Sequence, residues 1–97
     1  MDENSVREHA EAHAQAVVQG DLGKAAGDLT TEVQQSAAAV MKQLPRPVTG
    51  ASVEQVTAEG DEFVAHIRYS GEDASVTVAS GWAEQSGRPM ITRLDIV

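Results

Sequence analysis

The chain has 97 residues, a formal net charge of −8 and no cysteine, which together indicate one small acidic domain. The lack of cysteine excludes disulfides, thiolate metal ligands and cysteine nucleophiles. The negative charge, with seven basic residues that form no run, argues against binding to nucleic acid or to an anionic membrane.

The N-terminus and the hydropathy of the chain bear on its location. The residues after Met1 are Asp2, Glu3 and Asn4, and no apolar run follows them, which is not the pattern of a signal peptide. No stretch approaches the roughly 18 apolar residues of a membrane span. We therefore expect a cytoplasmic protein.

The first half of the chain predicts three helices. Ser5 and Glu8 have the spacing of a capping box, and Gly20 stands where a left-handed residue ends a helix. Asp21 is placed to cap a second, short helix, and Pro45 ends the third. The predicted helices span residues 5–19, 21–29 and 31–44.

The second half predicts four strands, because apolar and polar residues alternate and short glycine-containing turns separate the alternating segments. The predicted strands span residues 49–59, 61–70, 74–84 and 88–97. The first is the least regular, which indicates a bulge or an edge position. Helices followed by a meander predict an α+β domain in which three N-terminal helices pack on one face of a four-stranded antiparallel sheet.

Strand alternation divides the side chains between two faces. The predicted helix-facing set includes four large residues: Phe63, Tyr69, Trp82 and Met90. The predicted outward set combines apolar, polar and charged residues: Val64, His66, Arg68, Thr77, Ala79, Ile91, Arg93 and Asp95. This mixture is typical of an interface between two protein copies, so we predict a homodimer through the outer face, with a solvated sheet face as the alternative.

The order of elements resembles that of the NTF2-like superfamily, which includes SnoaL-like cyclases and ketosteroid isomerases. The residues that carry the resemblance are the helix end at 16–22, the hairpin at 59–61 and Trp82 before the turn at 87–89. Members usually insert a strand hairpin between the second and third helices, and in ketosteroid isomerases it carries the aspartate base. Here only residues 29–32 separate the two helices, so the resemblance is to a compact version.

His13 is the weak candidate for a catalytic residue. It stands eight residues before Asp21, where ketosteroid isomerases place a tyrosine that donates a hydrogen bond to the substrate oxyanion. The resemblance therefore implies a polar group at the end of a pocket. The alternative is an ordinary, partly buried helix residue.

These observations leave several functions open. The leading hypothesis is a non-catalytic dimeric module that binds a small apolar ligand, through His13, Phe63, Tyr69, Trp82 and Met90, or a protein partner. A second is a SnoaL-like isomerase, cyclase or dehydratase that acts on a small polycyclic or carbonyl substrate. A third is an assembly domain without a pocket.

We predict no cofactor and no metal site. His9 and His13 are four residues apart and share a helix face, but no third ligand stands at a fixed spacing from them.

Overall fold

A computed structural model describes residues 1–97 as helices followed by strands. The helices are α1 (Glu3–Val18), α2 (Leu22–Ala26) and α3 (Thr31–Met41), and the strands are β1 (Gly50–Glu59), β2 (Glu62–Ser70), β3 (Ser75–Gln85) and β4 (Arg88–Ile96). The strands form one antiparallel sheet in chain order, with helices packed against it. This confirms the predicted α+β class. None of the helices has the length and apolar character needed to cross a membrane.

The helix ends show where capping was predicted well and where it was not. The carboxylate of Asp2 accepts a hydrogen bond from the amide of Ser5 at 2.8 Å, so α1 begins before Ser5 and the predicted capping box of Ser5 and Glu8 is wrong. Asp2 prevails because its acceptor reaches a free amide of the first turn and its charge suits that end of a helix. Gly20 has a φ of 75° and Asp21 caps α2 through the amide of Lys24, both as predicted.

One hydrophobic core joins the helices to the sheet. From the helices it takes mainly small residues, among them Val6, Ala10, Ala14 and Ala16. From the central strands it takes Ala65, Ile67, Tyr69, Val78 and Trp82. We call the sheet surface that carries these strand residues the core face, and the opposite surface the outer face.

Strand β1 lies at the edge of the sheet and is bulged. Its register against β2 shifts between Val53 and Gln55, which explains the irregular alternation there. The prediction of a bulge or an edge position is confirmed, and both features are present.

A second bulge, in β4, overturns two predicted side-chain directions. Arg93 pairs with Gly81 and Ile91 with Trp82, so β4 advances two residues where β3 advances one, and Thr92 is the extra residue. Because side chains alternate with a period of two, this extra residue exchanges the faces of everything before it. Ile91, predicted on the outer face, is fully buried in the core. Met90, predicted on the helix side, pairs with Ala83 on the outer face.

The linker between α2 and α3 attaches to the free edge of β4. The amide of Ile91 donates to the carbonyl of Asp28 at 2.7 Å, and the amide of Thr30 donates to the carbonyl of Ile91 at 3.0 Å. Leu29 thereby forms an isolated parallel bridge with Ile91. This attachment fixes the position of Asp28 beside the sheet.

Candidate functional site

A cavity of about 180 Å³ lies between the helices and the core face of the sheet. Thirteen of its fourteen lining residues are hydrophobic, and the remaining one is His13. The sheet contributes Tyr69, Val78 and Leu94, and the rest of the lining comes from the helices and the residues that follow them: Val17, Leu22, Ala25, Ala26, Leu29, Ala37, Ala38, Val40, Met41 and Leu44.

Alanines of α2 and α3 account for the empty space. Ala25 and Ala26 on one helix and Ala37 and Ala38 on the other all line the cavity. An alanine favours the helix but adds only a methyl group to the lining, so these turns form without filling the adjoining space. The cavity is therefore a consequence of side-chain size at four helix positions.

His13 is held in place by an aspartate and an arginine. It lies on α1, is almost completely buried, and its Nδ1 atom is 3.0 Å from Oδ2 of Asp28. The other carboxylate oxygen of Asp28 accepts a hydrogen bond from the guanidinium of Arg88 at the start of β4. Three elements that are distant in sequence therefore meet at one carboxylate.

The charge of Asp28 depends on these neighbours. Burial alone would raise the pKa of its carboxyl group, but the hydrogen bonds and positive charges of His13 and Arg88 outweigh burial and lower the pKa. Asp28 is consequently ionised at neutral pH.

Tyr69 supplies the second polar group of the cavity. Its side chain is almost fully buried, and burial raises the pKa of its phenol, which is therefore neutral at physiological pH. No protein group hydrogen-bonds the Tyr69 hydroxyl. Every side-chain oxygen that solvent cannot reach does have a hydrogen-bond partner. The Tyr69 hydroxyl thus keeps some accessible surface.

The predicted ligand-binding residues separate into three groups in the structure. His13 and Tyr69 line the cavity. Trp82 is fully buried beside it, with its ring 6.2 Å from that of His13 in an edge-on arrangement, but it does not line the cavity. Phe63 packs at the margin of the core next to Trp82, and Met90 is on the outer face.

The outer face brings together the predicted interface residues apart from Ile91. Val64 pairs with Gly81, and the other strand partners are His66 with Ala79, Arg68 with Thr77, and Ala79 with Asp95. Arg93 pairs with Gly81 and packs closely against it. A Cβ atom added to Gly81 would lie 3.2 Å from the Cβ atom of Arg93. From there its guanidinium faces Asp95 at 3.6 Å and Glu59 at 4.0 Å.

His9 and His13 do not converge on a shared point. The Nδ1 atom of His9 is 2.8 Å from the carbonyl of Ser5, whereas that of His13 faces Asp28. No group of three or more His, Asp or Glu side chains is arranged to hold a metal ion.

A groove of about 390 Å³ adjoins the cavity and shares four lining residues with it. These are Val17, Leu22, Met41 and Leu44, and the groove continues along Pro45, Arg46, Pro47 and Val48. Leu22 stands between the two spaces and is half exposed.

Asp28 and Arg88 are the site residues that sequence reasoning missed. Asp28 lies fifteen residues from His13, and this spacing has no meaning without the attachment of the linker to β4. Arg88 is a further sixty residues away. The alanines at positions 25, 26, 37 and 38 were the available signal for a cavity.

No family model, no curated protein and no solved structure matches this chain.

Proposed function

We propose that the chain is a non-catalytic, NTF2-like module that binds a small apolar ligand in the cavity and forms a homodimer through the outer face. In this proposal the three helices cover the core face, and the outer face is left for a second copy. The observation that carries the ligand proposal is the cavity itself, apolar except for His13 and the Tyr69 hydroxyl.

The size of the cavity limits the ligand. Sites for drug-sized molecules usually measure about 300–1,000 Å³, whereas an apolar cavity of about 150 Å³ in another protein stays dry and binds benzene. A cavity of about 180 Å³ therefore suits a single ring with one or two substituents. A polycyclic substrate would require Leu22 or the helices to move.

The chemistry of the lining favours binding over turnover. His13 and Tyr69 are the only lining side chains with nitrogen or oxygen atoms, and both are almost completely buried. The His13–Asp28 pair favours a second candidate function, a general base acting on a small carbonyl compound as in the SnoaL-like enzymes that the chain resembles. The absence of a carboxylate among the lining residues weighs against it.

Filling the cavity tests the ligand proposal. Ala37→Leu adds a larger side chain inside the lining, whereas Ala39→Leu makes the same change at an exposed position of the same helix. We expect benzene, titrated into the protein and followed by NMR, to bind the unmodified chain and Ala39→Leu alike, and Ala37→Leu at least about tenfold more weakly. Equal binding to all three proteins would contradict the proposal.

The dimer proposal rests on the outer face. Thr77, Ala79 and His66 are only partly exposed there, and paired charges surround them. Ala79→Glu should separate the subunits, because it buries a carboxylate beside Asp95 in the interface. Ala39→Glu is the matched control on the helix surface. Light scattering that finds the unmodified chain monomeric at tens of micromolar would contradict the proposal.

A further inference from the structure

Three observations bear on the hydrogen-bonding character of His13 in the cavity lining. The first concerns Asp28, whose two carboxylate oxygens face different partners: Arg88 donates to Oδ1, and Nδ1 of His13 faces Oδ2. A guanidinium has only donors, and a carboxylate that pairs with one is ionised and has only acceptors. The hydrogen of the His13–Asp28 bond therefore resides on Nδ1.

The second observation concerns the other ring nitrogen. In a neutral imidazole one nitrogen carries the hydrogen and the other carries a lone pair, so a hydrogen on Nδ1 leaves Nε2 as an acceptor. No protein group hydrogen-bonds Nε2. Every side-chain nitrogen that solvent cannot reach has a hydrogen-bond partner, so Nε2 must keep some accessible surface. His13 lines the cavity, and the cavity is where a ligand would meet this acceptor.

The third observation concerns the rest of the lining. Every other lining residue is apolar apart from the hydroxyl of Tyr69, which can both donate and accept and therefore does not select between ligands. Nε2 of a neutral His13 is thus the one group of the lining residues that would discriminate between ligands, and it would require a donor.

We infer, on the premise of the proposed function, that the ligand is a benzene-sized ring compound with a hydrogen-bond donor, such as a heteroaromatic N–H or a phenolic O–H, which it gives to Nε2 of His13. This polarity is opposite to that of the oxyanion donor which the resemblance implied for this position. Asp28 is a positioning residue, because it acts on the ligand only through the tautomer of His13.

Three small ring compounds, used as probes, distinguish a failure of this inference from a failure of the proposed function. Benzene has no polar group, pyrrole has only a donor and pyridine only an acceptor, and each is titrated by NMR at a pH at which the ¹⁵N signals of His13 are those of a neutral ring. We expect pyrrole to bind at least about fivefold more tightly than pyridine, the effect of one hydrogen bond. Binding of benzene without this preference would overturn the inference alone. Failure of all three rings to bind would overturn the proposed function and the inference with it.

Asp28→Asn provides the sharper test. Because Arg88 can only donate, it holds the amide oxygen, and the amide nitrogen then faces His13 and donates to Nδ1. The tautomer reverses, Nε2 becomes a donor, and pyridine should now bind at least about fivefold more tightly than pyrrole. An unchanged preference in a folded Asp28→Asn protein would contradict the role of Asp28.

Two controls assign the effect to His13. Asp95→Asn makes the same change at an exposed carboxylate that also faces an arginine, and the preference for pyrrole should persist. Tyr69→Phe should also retain it, and its loss there would assign the discrimination to Tyr69 instead. If Asp28→Asn does not fold, ¹⁵N NMR of the unmodified chain still decides, since a hydrogen on Nε2 rather than Nδ1 of neutral His13 would overturn the inference.

Discussion

The core face of the sheet has two ends that are packed in opposite ways. At the tryptophan end, formed by Trp82, Ser80 and Ala65, every group is buried and every polar atom is paired. At the tyrosine end, formed by Tyr69, Val78 and Leu94, the sheet borders the cavity and a phenol has no partner in the protein. Both ends include residues of β2 and β3, a few positions apart, and Leu94 of β4 pairs with Ser80 where the two ends meet.

The helices cause this difference. Above the tryptophan end, the rings of His9 and His13 lie 6.5 Å and 6.2 Å from the Trp82 ring. Above the tyrosine end, α2 and α3 present alanines. One face of a sheet can therefore carry a filled region and an empty one, according to the side chains of the helices that cover it.

The largest expected effect is the loss of the tryptophan end. Trp82→Ala removes a fully buried side chain together with the hydrogen bond that its Nε1 donates to Ser80 at 2.9 Å. We expect the free energy of unfolding to fall by about 3–5 kcal/mol, measured by urea denaturation. A fall of less than about 1 kcal/mol would show that this end is not the close-packed one.

Ser80→Ala should have the next largest effect. Ser80 is fully buried, donates to the carbonyl of Ala65 at 2.9 Å and accepts from Trp82, so its removal leaves a buried indole N–H unpaired. We expect destabilisation by about 1–3 kcal/mol. Ser75→Ala, an exposed position on the same strand, is the matched control and should be close to neutral.

Acid should lower the free energy of unfolding by a smaller amount, through the protonation of Asp28. The pKa of Asp28 is lowered in the folded chain, so its contribution to stability is present above the ordinary value of 3.8 and is lost as the pH falls from there through the lowered pKa. The effect is limited because Arg88 is half exposed and its charge is screened by solvent. Unfolding measured between pH 5 and pH 2 should show a smaller loss for Asp28→Asn than for the unmodified chain.

Tyr69→Phe should have the smallest effect. The Tyr69 hydroxyl has no partner in the protein, so its removal breaks no hydrogen bond, and the free energy of unfolding should change by less than about 0.5 kcal/mol. If the free energy of unfolding fell by about 1 kcal/mol or more, the Tyr69 hydroxyl would have a hydrogen-bond partner, which would contradict this account.

The sequence was sufficient where local patterns decide the structure. The strict alternation of β2 predicts Tyr69 on the helix side, where it is buried, and the Gly20–Asp21 pair marks the boundary between α1 and α2. These features depend on neighbouring residues alone, so periodicity and capping preferences are enough to predict them.

The remainder depends on contacts between distant segments. The extra residue at Thr92 reverses Ile91 and Met90, and its place in β4 is defined only by the pairing with β3. The position of Asp28 next to His13 follows from the attachment of the linker to β4, which connects residues about sixty positions apart. Tyr69 and Trp82 are buried in the core and Phe63 packs against it, whereas the contacts of Asp28 with Arg88 and with His13 appear only in the folded chain.

The central claim, that the tyrosine end holds a small apolar ligand, is tested most directly by locating bound benzene. Intermolecular NOEs should connect benzene protons to methyl groups of Leu29, Met41 and Leu94, which line the cavity, and not to Val53, which packs against the core elsewhere. NOEs confined to the outer face, for example to Val64, would contradict the claim, as would the absence of any binding at millimolar benzene.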